Sequence, residues 1–175
     1  MHYWTLAIGD IPEELQPIVD HNVAKWDMEI VRLDAITDLE GIALVEELTR
    51  VSDIYRHERA ANNTDYAEAY LDLDCKLLMS LDEYEPEALP YWPEETTLSA
   101  DKQPDTFIMI VSPGAAQRAL DIAAEKGGAF NTGAYCWPRR VWREFKGITQ
   151  IDPSCYEHGM YSVKRRRALQ AAAKA

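Results

Sequence analysis

The stretch 70-YLDLDCKLL-78, Tyr70 to Leu78, alternates like a half-buried strand, yet it carries Asp72 and Asp74. On a strand, residues two apart point the same way, so Tyr70, Asp72 and Asp74 share one face while Leu71 and Leu73 take the other. If the strand ends there, both carboxylates emerge together at its C-terminal edge, where open α/β sheets bind ligands. Two converging carboxylates repel each other. The arrangement therefore calls for positive charge between them, either a divalent cation held by oxygen ligands or a shared proton.

Working outward, the flanking sequence alternates strands with helices. Residues 2–8, HYWTLAI, read as a first strand entering a loop at Gly9. A helix follows with Asp10 as cap, Pro12 in its first turn, and Leu15, Ile18 and Val23 facing inward. Residues 28–33, MEIVRL, read as a second strand. Then comes a helix capped at Thr37 or Asp38, with Leu39, Ile42, Leu44, Val45 and Leu48 on its apolar face, and a further helical stretch from Ser52 to Asn63. This order predicts an α/β fold, a mostly parallel sheet flanked by helices. Past it, residues 83–106 are rich in Pro and Glu and read as a long surface loop, a lid or an acceptor surface bearing Tyr91 and Trp92. FIMIVS (107–112) is an apolar strand, and the helix after it stops at Gly127 and Gly128. A helical piece over 137–146, a short strand at 148–152 and a basic helical tail complete the chain.

Charge and composition narrow the function. The 175 residues carry a formal net charge of −12 and are 47% hydrophobic, enough for one core and short for two. Such a field repels phosphate backbones and anionic membranes in general, though the cations of RRVWREFK (139–146) and VKRRR (163–167) offer a local patch for an anion. Cys75, Cys136 and Cys155 have no metal-site spacing and make an odd number, which suits a reducing, cytoplasmic setting. No apolar run reaches the length of a membrane span, and the first ten residues lack the pattern of a signal peptide.

An Asp-x-Asp arises about once by chance in a chain this acidic, so its neighbourhood has to decide. Phosphohydrolases of the haloacid-dehalogenase type end a strand in this motif, but they place Thr or Val two residues after the second Asp, where this chain has Lys76. The upstream run LTRVSDIYRHERAANNTDYAEAYLDLD instead resembles the signature of the DXD-containing nucleotide-sugar glycosyltransferases of family 32. Ser52, Asp53 and Arg56 match that family's Ser-Asp-x-x-Arg helix, and Tyr70, Asp72 and Asp74 match its Tyr-x-Asp-x-Asp strand. HYWTLAIGDIPEE looks like its opening, IVRLDAITD like its second strand, and FNTGAYCW like a late segment facing the donor sugar. The family's Gly-Gly before the strand tyrosine is replaced by Glu68 and Ala69, and the chain is shorter than most members.

The resemblance implies a minimal GT-A-like nucleotide-sugar-binding domain over residues 1–162, with residues 163–175 as the basic tail. It implies transfer of a hexose or pentose, with retention of configuration, from a UDP- or GDP-linked sugar to a hydroxyl acceptor that the sequence does not identify. Mn²⁺ or Mg²⁺ would be held by Asp74 directly and by Asp72 through water, with His158 as a third ligand or phosphate contact. Asp53 and Arg56 would hydrogen-bond the donor sugar, Tyr70 would join them in binding the donor, Trp4 would stack on the base, and Asn131 would face the sugar. Arg139, Arg140 and Arg143 are further candidates for the diphosphate or an acidic acceptor. The competing expectation from another class is a non-catalytic, acidic binding or inhibitory protein on a transferase-like scaffold.

Overall fold

The computed structural model of the chain describes residues 1–65, 67–91, 104–126 and 137–174. Asn131, the Gly127–Gly128 helix stop, Cys136 and the middle of the acidic loop with Trp92 lie outside the described residues.

The first strand, β1 (His2–Ile8), buries its five central residues because it lies inside a sheet covered on both faces. A 3₁₀ turn (Glu13–Leu15) leads into α1 (Gln16–Trp26), with Pro17 in its first turn, where a missing N–H costs nothing. No side chain caps this entry, so Asp10 does not take the expected role. Leu15, Val19 and Asn22 face the core, whereas Val23 is 38% exposed, because the inward stripe follows the 15, 19, 22 spacing in place of 15, 18, 23. The buried Asn22 amide donates to the Cys75 carbonyl (2.8 Å) and accepts from the Leu77 N–H (2.9 Å), which ties α1 to the strand that follows the Asp-x-Asp. After β2 (Glu29–Leu33), the two expected helical pieces form one helix, α2 (Gly41–Asn62). No Gly or Pro interrupts residues 42–62, so Ser52 and Asp53 sit in mid-helix instead of starting a new one. The helix begins after Glu40, without a side-chain cap at Thr37 or Asp38.

The deciding stretch breaks in two. β3 (Glu68–Leu71) ends before Asp72, and β4 (Cys75–Leu77) belongs to another sheet. Between them the Cys75 N–H bonds the Asp72 carbonyl (2.9 Å), closing a turn of the kind that aspartates favour. Short β5 (Ala88–Leu89), β6 (Ile108–Met109), α3 (Pro113–Glu125), α4 (Trp137–Trp142), β7 (Thr149–Gln150), β8 (Tyr156–His158) and α5 (Tyr161–Lys174) follow. Ser112 caps α3 by accepting from the Ala115 N–H.

The main sheet has the order β2-β1-β3-β6, parallel except for the antiparallel β3–β6 pair. Alternation along β1 and β3 sorts the core into two layers. Tyr3, Ala69 and Leu71 join Val19, Met28 and Leu77 on the α1 side, while Trp4, Leu6 and Tyr70 join Ala119, Ile122, Trp137 and Trp142 on the other. Two smaller ladders, antiparallel β4–β8 and parallel β5–β7, extend the fold. α5 packs on α2, where Arg166 pairs with Glu46 (2.9 Å).

Candidate metal and ligand site

The turn at residues 72–74 lies at the C-terminal end of β3, and the Asp72 N–H is fixed to the Phe107 carbonyl (2.8 Å) at the entry to β6. β8 then runs back along β4 in a register that pairs Cys75 with His158, so the His158 ring arrives beside Asp74. Its Nε2 stands 3.3 Å from Asp74 Oδ1, and its ring stacks on Phe107 with centroids 3.9 Å apart and planes 8° from parallel. Two backbone N–H groups also hold Asp74. Its carbonyl accepts from the Gly159 N–H (2.8 Å), its Oδ2 accepts from the Tyr161 N–H (2.5 Å) at the start of α5, and a side chain on Gly159 would crowd it, with a Cβ 3.3 Å from its own Cβ.

One ligand atom each from Asp72, Asp74 and His158 falls within 4.8 Å of the other two. Electrostatics within the cluster are mutually adjusted. Burial raises the Asp72 pKa, and Asp74 adds to the rise although Arg56 opposes it. For Asp74 burial also acts upward, but the hydrogen bond and charge of His158 outweigh it and the net direction is down. His158 shows the converse, since burial favours the neutral ring and the Asp74 and Asp72 carboxylates overcome it, raising its pKa. Positive charge for the paired carboxylates thus comes from Arg56 on Asp72, and the shift of His158 favours a proton beside Asp74.

Behind Asp72 lies a buried polar network. Arg56 is 5% exposed; its Nη1 donates to Asp72 Oδ1 (3.0 Å), and its Nη2 donates to Asp53 Oδ1 and to the Thr106 hydroxyl. The Tyr70 hydroxyl donates to the same Asp72 oxygen (2.6 Å), so it accepts from the Ser52 hydroxyl (3.1 Å). Burial pushes the Asp53 carboxyl up to about 7 against the opposing charge of Arg56, while Asp53 and Asp72 hold Arg56 above its ordinary value despite burial. Deep pairing of this kind is needed because a lone charge there would be very costly.

These groups help line a pocket of about 380 Å³ at the C-terminal ends of β1 and β3. The lining also has an aliphatic part, with Leu6, Ile8, Pro12, Ala35, Ile36 and Leu44. Gly9 makes this wall close, because its φ of +74° suits glycine and a Cβ there would stand 2.9 Å from that of Ala35.

Of the residues expected at a site, the fold brings together Asp53, Arg56, Tyr70, Asp72, Asp74 and His158. Trp4 is not among them. It is 1% exposed, with the Arg59 guanidinium 4.2 Å over its ring and Tyr55 and Tyr70 edge-on, so a strand in mid-sheet has buried the indole expected to stack on a base. Arg139 lines the pocket and pairs with Asp105 (3.1 Å), whereas Arg140 and Arg143 are exposed and do not line it. Asp105 and Thr106 went unnoticed in the sequence, since they end an acidic loop and only the β3–β6 pairing carries the Thr106 hydroxyl to Arg56.

No family model matches this chain, and no curated protein sequence does. A solved structure, a glycosyltransferase involved in the glycosylation of the major capsid of PBCV-1, is similar over 97% of this chain and 100% of its own, with a TM-score of 0.51 at 12% identity. At that identity the likeness is one of architecture: the chain has a GT-A-like glycosyltransferase fold.

Proposed function

We propose that this chain is a metal-dependent glycosyltransferase that moves a sugar from a UDP- or GDP-linked donor to a hydroxyl acceptor. The observation that carries the reading is the Asp72–Asp74–His158 cluster, set in the wall of the pocket at the C-terminal sheet edge of a GT-A-like fold. Two carboxylates and an imidazole form a mixed oxygen and nitrogen donor set that suits Mn²⁺, and the oxygens alone suit Mg²⁺. Bound there, such an ion would neutralise charge on a leaving nucleoside diphosphate.

The chain's own residues divide the remaining work. The aliphatic wall of Leu6, Ile8, Pro12 and Ala35 suits a base and ribose by excluding water. Arg165 at the pocket lining adds positive charge suited to a diphosphate, and Arg139, paired with Asp105, stands beside it in the lining. Membership of glycosyltransferase family 32 and retention of configuration are part of this proposal, and both rest on the resemblance in residues 52–74. Asn131 and the acidic loop stand in it as donor and acceptor contacts.

The test combines binding with turnover. Mn²⁺ with UDP or GDP should raise the melting temperature, Asp74→Ala should abolish the shift, and a panel of nucleotide sugars should reveal a donor by nucleotide release. No shift with any nucleotide, and no release, would sink the proposal and favour the binding protein. Hydrolysis of phosphate esters with Mg²⁺ and no nucleotide dependence would point to the phosphohydrolase.

A further inference from the structure

The two oxygens of Asp72 are treated differently by the fold. Oδ1 receives both the Arg56 Nη1–H (3.0 Å) and the Tyr70 hydroxyl (2.6 Å); among the described residues Oδ2 receives no hydrogen bond. Both donors are themselves fixed. Tyr70 takes its orientation from the Ser52 hydroxyl (3.1 Å) and lies beneath the Arg56 guanidinium (5.0 Å to the ring centre). Arg56 is locked by Asp53 and by the Thr106 hydroxyl. A guanidinium 5% exposed, with both terminal nitrogens engaged inside the protein, is ill placed to reach a sugar.

We infer that Arg56 and Tyr70 are positioning residues that act through Asp72. They hold its carboxylate by Oδ1, fix the plane of the group and reserve Oδ2 for the cation shared with Asp74 and His158. The inference rests on reading that cluster as a metal site. It differs from the role that the family resemblance gives Arg56, because the arginine contributes geometry to a ligand and makes no contact of its own with the donor. Outer partners that orient a metal ligand typically change affinity by roughly ten- to a hundredfold.

Titration with Mn²⁺ alone, followed by electron paramagnetic resonance of the free ion into the millimolar range, tests this in a mutant cycle. Tyr70→Phe removes one hydroxyl and keeps the ring; Arg56→Lys keeps the charge and removes the fork. Each should weaken Mn²⁺ by roughly tenfold in the otherwise unchanged chain, yet by less than about twofold in an Asp72→Ala background, because partners acting through one group are not additive. In an Asp74→Asn background, where Asp72 remains, the tenfold effect should persist. If Arg56→Lys fails to fold, having left Asp53 without its fork, Tyr70→Phe carries the test by itself. Equal weakening with and without Asp72, or no weakening at all, overturns the inference while leaving the metal site in place. Failure of the unaltered chain to bind Mn²⁺ removes the metal reading and this inference with it.

Discussion

His57 is buried between α2 and α4 with its tautomer dictated by its neighbours. The Asp53 carbonyl accepts from Nδ1–H (2.6 Å), which leaves Nε2 to accept the Trp142 indole N–H (3.0 Å). A proton on Nε2 would break the second bond and bring an unpaired charge beside Trp137 (4.8 Å). Burial, helped by the Arg56 charge, lowers the pKa to about 3 from an ordinary 6.5. The unfolded chain therefore binds more protons between those values. The stability that His57 contributes is complete above pH 6.5 and is lost as pH falls toward 3, amounting to a few kcal/mol. Urea unfolding at pH 7, 5 and 4 should show this loss, and His57→Gln should be about 1–3 kcal/mol less stable at pH 7 but have a shallower acid slope. An unchanged slope would show that other groups carry the acid sensitivity.

At the scale of elements, the cluster depends on how β8 lies against β4. Gly159 follows the ladder where a Cβ would come 3.3 Å from Asp74, so Gly159→Ala should push His158 away from its partner. Mn²⁺ titration should show affinity reduced by roughly tenfold, with the melting temperature little altered. Asn22 supports the opposite side of β4. Replacing it by Leu strands the Cys75 carbonyl and the Leu77 N–H and should cost about 1–3 kcal/mol in urea unfolding, whereas Val23→Lys, on the exposed face of α1, should stay within about 0.5 kcal/mol of the parent.

The elements also show what was legible in the sequence. β1 and β2 lie almost where alternation put them, and the carboxylates at 72 and 74 do converge. They converge through a turn, which alternation in YLDLDCKLL concealed because the residues on either side of it are both strand-like. Trp4 and Val23 were misplaced for a related reason: periodicity gives a face but does not say what covers it. The links from Arg56 to Thr106 and from Asp74 to His158 join distant parts of the chain, and only the β3–β6 and β4–β8 pairings create them.

Across the whole molecule, α5 concentrates Lys164, Arg165, Arg166, Arg167 and Lys174 in an acidic chain, and it buries none of its side chains. Its first turn nonetheless belongs to the pocket, through Tyr161, Ser162 and Val163, and the Tyr161 N–H holds Asp74. Truncation after Ala168 should leave Mn²⁺ affinity within about twofold, since it keeps Arg166 on Glu46. Ending the chain at Gly159 should abolish binding, which the same titration would register. No described helix is long and apolar enough to cross a membrane.

The β4–β8 ladder also fixes the order in which the molecule can be completed. Once residue 109 has been made, every strand of the main sheet exists, and Asp72 and Asp74 already stand at its edge. The His158 ring that pairs with Asp74 comes much later, on β8. Arg56 can pair with Asp72 from the start, but Asp74 waits for its own ion-pair partner until β8 docks on β4.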